Sequence, residues 1–276
     1  MQMRHNGRVL TIADAHAHIY PGKIAEKATA SVGDFYHIGM NRIGYPHTLL
    51  ESGTQAGIDR FLVCSVATKP EQARSINDFI AQKCGQYPQF LGLAALHPAQ
   101  TDWAEEIDRA ISLGLRGFKF HPDFQRFNID DDSMLPLYRK VRETGLPILF
   151  HMGDDRYDYS APQRLAHVLE EVPGLCCIAA HFGGYQRWSD AAKYLAGEQL
   201  YFDTSSSLWR LTPEEAVGLI HHFGADRMMF GTDFPMWEPR VELERFLALD
   251  LTEQEQDKIL YQNFERLFGV TVGQPE

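Results

Sequence analysis

The sequence predicts an α/β chain folded as a single-domain (β/α)₈ TIM barrel over residues 1–276. Three observations lead there. Eight short apolar runs alternate with helix-forming segments from end to end, the pattern of a closed parallel barrel. No Gly-rich phosphate fingerprint follows the first run, as an open dinucleotide-binding sheet would need. The length of 276 residues suits one such barrel, which typically takes about 250.

The strand runs are 11–19, 60–67, 90–97, 115–121, 147–152, 176–182, 200–205 and 228–234. Each is short, largely apolar and closes on a polar or Gly/Pro-rich turn, as parallel strands buried on both faces do. Between them, 71–87, 102–113, 133–144 and 162–172 carry apolar residues at the three-to-four spacing of a helix. Gly145 and Gly174 mark helix ends. The stretch 212–223 opens Thr-Pro-Glu-Glu, a capping hydroxyl, a first-turn proline and acids at the positive helix end. A final amphipathic helix over 252–268 closes the barrel at its bottom or side. The stretch of about 21–46 reads as a long irregular loop after the first strand, rich in Gly, Tyr and Phe and carrying His37. A loop of that length is usually functional or mobile, and on the catalytic face it would form a lid. No repeat or linker divides the chain.

The hydrophobic fraction of 44% and charged fraction of 23% are those of an ordinary soluble domain. No apolar run approaches the roughly 18 residues of a bilayer span, and the N-terminus lacks the apolar core of a secretory signal. A cytoplasmic protein without membrane partners is expected. Net charge is −11, from 26 Lys and Arg against 37 Asp and Glu. That sign repels phosphate backbones and argues against nucleic acid as a partner; a small molecule is the expected partner, and homo-oligomerisation stays open. Cys64, Cys176 and Cys177 lie in apolar runs and no CxxC pair occurs, so neither a disulfide framework nor a thiolate zinc site is expected.

The chemistry lies at the strand ends. His16 and His18 are two apart on the first strand and point to one face. His151, His181 and Asp233 end the fifth, sixth and eighth strands. Chain direction puts all five at the carboxyl mouth, where barrel enzymes build their sites. Neutral imidazoles with a carboxylate suit Zn²⁺ and related divalent ions. Each residue alone has a bland reading: a half-exposed strand, a core histidine, a turn-forming Asp. Four strands carrying donor types at the same end is not a chance pattern. Asp14, deeper on the first strand, reads as a partner of the donors, as do His97 and Asp203.

The motifs HAH, FHMG, AHFGG and GTDFP occur in order, followed by the C-terminal NFERLFG at 263–269. With them the chain resembles the amidohydrolase superfamily over essentially its whole length. The branch is that of amidohydrolase-related proteins, which holds hydrolases, lactonases, hydratases and metal-dependent decarboxylases. The resemblance implies His16, His18, His151 and Asp233 as metal ligands and His181 as a catalytic or second-metal residue. One divalent metal per chain, Zn²⁺ first, is the favoured reading. Lys119 on the fourth strand keeps a second open: carboxylated, it would bridge two metals, with His181 on the second. Uncarboxylated, it would pair with a substrate carboxylate.

The expected function is hydrolysis of an amide, lactone or ester bond in a small, carboxylate-bearing metabolite by a metal-activated water. The metal lowers the pKa of that water toward about 7. Asp233 then takes its proton while His181 polarises the carbonyl. The alternative is a non-oxidative decarboxylase or hydratase using the same metal. A non-catalytic barrel with a structural metal is a third class, against which an accessible, His-rich donor set argues. His121, Arg156, Trp237 and Arg240, on or just past strand ends, are the candidate substrate contacts.

Overall fold

The computed structural model describes residues 3–273. Apart from an N-terminal hairpin, its strands fall within the eight apolar runs. They are β1 (Ala13–His18), β2 (Arg60–Cys64), β3 (Phe90–Gly92, continued at Ala94–Ala95), β4 (Phe118–Phe120), β5 (Ile148–Phe150), β6 (Cys177–Ala179), β7 (Tyr201–Asp203) and β8 (Met228–Met229). The main helices are α1 (Ala25–Tyr36), α2 (Pro46–Ala56), α3 (Ala73–Gln86), α4 (Trp103–Ser112), α5 (Leu135–Thr144), α6 (Pro162–Glu171), α7 (Trp188–Tyr194), α8 (Pro213–Phe223) and α9 (Pro239–Leu247). This β-then-α order is that of a (β/α)₈ barrel. No helix among the described residues is long and apolar enough to cross a membrane.

One expectation is corrected. The stretch 21–46 is not irregular, because α1 occupies much of it. Its buried stripe is Ala25, Thr29 and Gly33, small residues at helical spacing that give no hydrophobic signal. Gly33 is required there: a Cβ would sit 2.8 Å from the Ile38 carbonyl oxygen and 2.9 Å from the Met40 side chain. The chain can therefore fold back tightly as it leaves the helix at His37.

The chain packs as two compact units. The first comprises residues 3–63, 87–91 and 204–273. Its sheet runs β1-β2-β3, the last through Phe90–Gly92 alone, and the segment following β8 lies beside β1. Ala15 N–H donates to the Phe230 carbonyl at 2.8 Å, Asp233 N–H to His16 at 2.8 Å and His18 N–H to Phe234 at 2.7 Å. This parallel zipper aligns Asp233 with the HxH pair. Asp14 reinforces it from below: Oδ1 accepts the Thr232 N–H and Oδ2 the Thr232 hydroxyl, at 2.9 and 2.6 Å. An antiparallel hairpin, Arg4–His5 with Arg8–Val9, precedes β1. The segment 252–268 is helical as expected, but Lys258–Gln262 is a π turn. Its Ile259 carbonyl accepts the Phe230 N–H at 2.9 Å, so the widened turn holds the strand that leads to Asp233.

The second unit comprises residues 64–86 and 92–203. Its parallel strands pair in sequence order, with Ala94 opposite Phe118, Phe118 opposite Ile148, Phe150 opposite Ala179 and Tyr201 opposite Ile178. The strands β4, β5 and β6 are buried throughout, which accounts for their continuous apolar runs. A buried polar clasp ties α3 to this sheet. Asn77 receives the Ala95 N–H at 2.7 Å and donates to the Ala95 carbonyl at 3.1 Å and to Glu106 at 2.8 Å. Arg109 then forks onto Glu106 at 2.7 and 2.8 Å.

Candidate metal centre

In the first unit the structure brings together His16, His18 and Asp233. The two Nε2 atoms are 3.2 Å apart. Asp233 Oδ1 lies 3.4 Å from His18 Nε2 and 3.8 Å from His16 Nε2. Two imidazole nitrogens and a carboxylate oxygen converging in this way form a donor set that a divalent cation fits. His16 is 1% exposed and Asp233 9%. The other nitrogen of His16, Nδ1, is 3.1 Å from Ser205 Oγ, the kind of outer contact that fixes a ligating ring. Asp233 stands at φ +57°, a left-handed conformation uncommon for a residue other than glycine. The zipper to β1 holds it there.

In the second unit the structure brings together His151, His181 and His121. His151 Nε2 is 2.9 Å from the Gly153 carbonyl. A carbonyl only accepts, so Nε2 carries the proton and Nδ1 is left as the basic nitrogen. That Nδ1 is 3.0 Å from His181 Nε2. Gly153 itself has φ +73°, and a Cβ there would lie 2.7 Å from backbone atoms of Gly184 and Tyr185. His181 also sits in the left-handed region, at φ +61°. Its N–H donates to Asp203 Oδ1 at 3.0 Å, and its carbonyl accepts Trp188 Nε1–H at 3.1 Å.

His121, Asp123 and His151 also place ligand-type atoms within 4.8 Å of one another. The rings of His121 and His151 stack at 3.9 Å and 7°. Imidazole lone pairs lie in the ring plane, so two parallel rings do not converge on one ion. His121 is further used as a helix cap, its Nδ1 accepting the Phe124 N–H at 3.3 Å. Burial pushes the Asp123 carboxyl up to about 7. The Ser160 hydroxyl donates to its Oδ2 at 2.6 Å.

The remaining candidates are placed as follows. Lys119 is buried on β4, opposite Ala95 and Leu149. Arg156 forks onto the buried Asp154 through Nε and Nη2, at 2.9 and 2.8 Å. Arg240 is exposed on α9 and paired with Glu244 at 2.9 Å, so the geometry gives it no contact with the donor groups. Trp237 donates its indole N–H to Ser206 Oγ at 2.9 Å. Ser205, Ser206, Asp123 and Asp154 are the polar residues at these groups that the sequence reading passed over. Ser205 and Ser206 lie two and three residues past β7, so the strand-end rule that flagged the histidines reaches them too.

A (β/α)₈ chain with imidazoles and carboxylates at its strand ends has the layout of a barrel metalloenzyme. The sequence model of the family described as Amidohydrolase matches residues 13–270, and the chain belongs to that family. It is 26% identical over 251 residues to the gamma-resorcylate decarboxylase of Rhodococcus jostii (strain RHA1), covering 71% of this chain and 76% of that protein. It is 32% identical over 126 residues to the 2-amino-3-carboxymuconate-6-semialdehyde decarboxylase of Dictyostelium discoideum, covering 42% of this chain and 34% of that one. The fold is similar to a dihydroxybenzoic acid decarboxylase from Polaromonas sp. JS666, solved with bound manganese and the inhibitor 2-nitroresorcinol. That match has a TM-score of 0.74 and 18% identity, over 94% of this chain and 97% of that one. These relatives overturn hydrolysis as the leading reading, since they are decarboxylases. The error has a physical source. One donor set can activate water or anchor a carboxylate, so the motifs report the donors and not the bond that breaks.

Proposed function

We propose that this chain is a metal-dependent, non-oxidative decarboxylase of a small aromatic or unsaturated carboxylate. The observation that carries the reading is the similarity to a gamma-resorcylate decarboxylase across most of both chains. His16, His18 and Asp233 would hold one divalent ion per chain, a role supported by their convergence. His151 is assigned to the set on the family resemblance alone, and its Nδ1 would have to give up the contact with His181 Nε2 to ligate. Imidazoles suit Zn²⁺ and carboxylates suit Mn²⁺, and manganese is the ion named for the Polaromonas enzyme. Such an ion would supply positive charge to anchor the substrate carboxylate and an adjoining oxygen. Lys119, buried on β4, is assigned as a further partner for that carboxylate.

The bond broken joins the substrate carbon to its carboxylate. CO₂ leaves, the electron pair stays on that carbon, and a proton replaces it. His181 Nε2 is the group assigned to move that proton, with the remaining lone pair of Asp233 Oδ1 as the second candidate. No water is consumed, which separates this chemistry from hydrolysis. The test uses metal-loaded protein with ¹³C-carboxyl-labelled 2,6-dihydroxybenzoate, related ortho-hydroxybenzoates and aminomuconate-type acids in D₂O. The expected result is ¹³CO₂ with one deuterium at the carbon that bore the carboxylate. No release across the panel, with turnover of an amide or lactone instead, would overturn the proposal.

A further inference from the structure

The carboxylate of Asp233 has two oxygens in different surroundings. Oδ1 faces the HxH pair, 3.4 Å from His18 Nε2. Oδ2 receives a hydrogen bond from Ser206 Oγ at 2.5 Å, a length typical of a charge-assisted O–H···O⁻ bond. The direction of this bond follows from the next residue along. The Trp237 indole N–H can only donate, and it donates to Ser206 Oγ at 2.9 Å. Ser206 Oγ therefore accepts from Trp237 and spends its own proton on Asp233. Ser206 is gripped a second time, its carbonyl accepting Trp209 Nε1–H at 3.0 Å. The two indoles stack at 5.6 Å and 26°, and the Arg245 guanidinium covers the Trp237 ring at 5.1 Å. Ser206 is held at φ +50° between them, a conformation that costs energy and persists only where neighbours impose it.

We infer that Trp237 and Ser206 are positioning residues that divide the labour of the Asp233 carboxylate: Oδ2 is locked by the relay, and Oδ1 alone is presented to the metal. The inference rests on the reading of Asp233 as a metal ligand. It moves Trp237 from substrate contact to support of that ligand. Without the Ser206 hydroxyl, the carboxylate can rotate about its Cβ–Cγ bond, and one-oxygen presentation is lost.

The experiment measures Mn²⁺ binding to chelator-stripped protein by the paramagnetic resonance of free and bound ion, alongside thermal unfolding of the stripped protein. Ser206→Ala and Ser206→Gly both remove the hydroxyl, and the glycine also relieves the left-handed backbone. Both are expected to weaken Mn²⁺ binding by roughly the 10–100-fold typical of losing an outer hydrogen bond to a ligand. The spectrum of the bound ion should change and unfolding of the stripped protein should not. Trp237→Phe keeps the stacking and removes the donor. It is expected to weaken binding less, and it tests the relay from its far end should the serine variants fail to fold. Wild-type affinity in Ser206→Ala, or in Ser206→Gly alone, would overturn the inference, the second by showing that backbone and not hydroxyl matters. Asp233→Asn separates the parent reading. Unchanged Mn²⁺ binding in that variant would remove Asp233 from the ligand set. Loss there with none in Ser206→Ala would overturn only the relay.

Discussion

His181 Nε2 lies 3.0 Å from His151 Nδ1, and the Gly153 carbonyl sets the direction of that contact. Because His151 spends its Nε2 proton on the carbonyl, its Nδ1 must accept, and His181 must donate. The Asp203 carboxylate fixes the backbone from which His181 projects. In this arrangement Nε2 is the atom of His181 from which a proton would be given up. His181→Asn should therefore lower kcat by roughly the 10²–10⁴-fold typical of losing a general acid while metal content stays at the wild-type level. Near-normal turnover in the metal-loaded variant would leave Asp233 as the sole proton carrier.

Lys119 tests how many metals are held. With one ion per chain, Lys119→Met should keep that ion and raise KM more than it lowers kcat, because a partner for the substrate is gone. Elemental analysis with steady-state kinetics checks both halves. Two ions in the wild type, falling to one or none in the variant, would establish the bridged arrangement instead.

Glu242, on α9, is fully buried, and burial pushes its carboxyl up to about 7. A carboxyl raised in the folded state binds its proton there more tightly than in the unfolded chain. Folding stability then falls as pH rises from about 4.5, the unfolded value, through about 7. Over that window the loss is on the order of 2–4 kcal/mol, at 1.36 kcal/mol per unit. Glu242→Gln cannot ionise, so denaturant unfolding between pH 5 and 8 should show a flatter dependence than wild type. An unchanged slope would assign the pH dependence to other groups.

Asn77 closes three polar contacts around Ala95 and Glu106, all buried. Asn77→Ala leaves the Ala95 amide without its Asn77 partner and removes one of the donors to Glu106. Removing a partner from buried polar groups costs about 1–3 kcal/mol each, so urea unfolding should shift by roughly 2–5 kcal/mol with its slope unchanged. A shift within experimental error would show that the pocket rehydrates.

The strands were readable because parallel strands buried on both faces are written as continuous apolar runs, and the donor residues fell at their ends. Helix α1 was hidden for the converse reason: its packing stripe of Ala25, Thr29 and Gly33 is small rather than apolar. The N-terminal hairpin had a local signal in Asn6-Gly7, both at positive φ, which favours a two-residue turn. Of the donors, His16, His18 and Asp233 were legible as a set. The Ser206–Trp237 relay was not, because it depends on which oxygen of a carboxylate faces which neighbour, and no residue pattern encodes that. Hydrolysis was misread because one donor set serves either chemistry, and the motifs name the donors rather than the bond that breaks.

The central claim is that metal held by His16, His18 and Asp233 drives loss of CO₂. It is tested most directly by stripping the protein with a chelator and returning Mn²⁺ in measured steps while CO₂ release from a dihydroxybenzoate is followed. The account predicts no release from stripped protein, a linear rise that saturates at one ion per chain, and little recovery at any concentration in His18→Ala. Full release without metal, or undiminished recovery in His18→Ala, would contradict it.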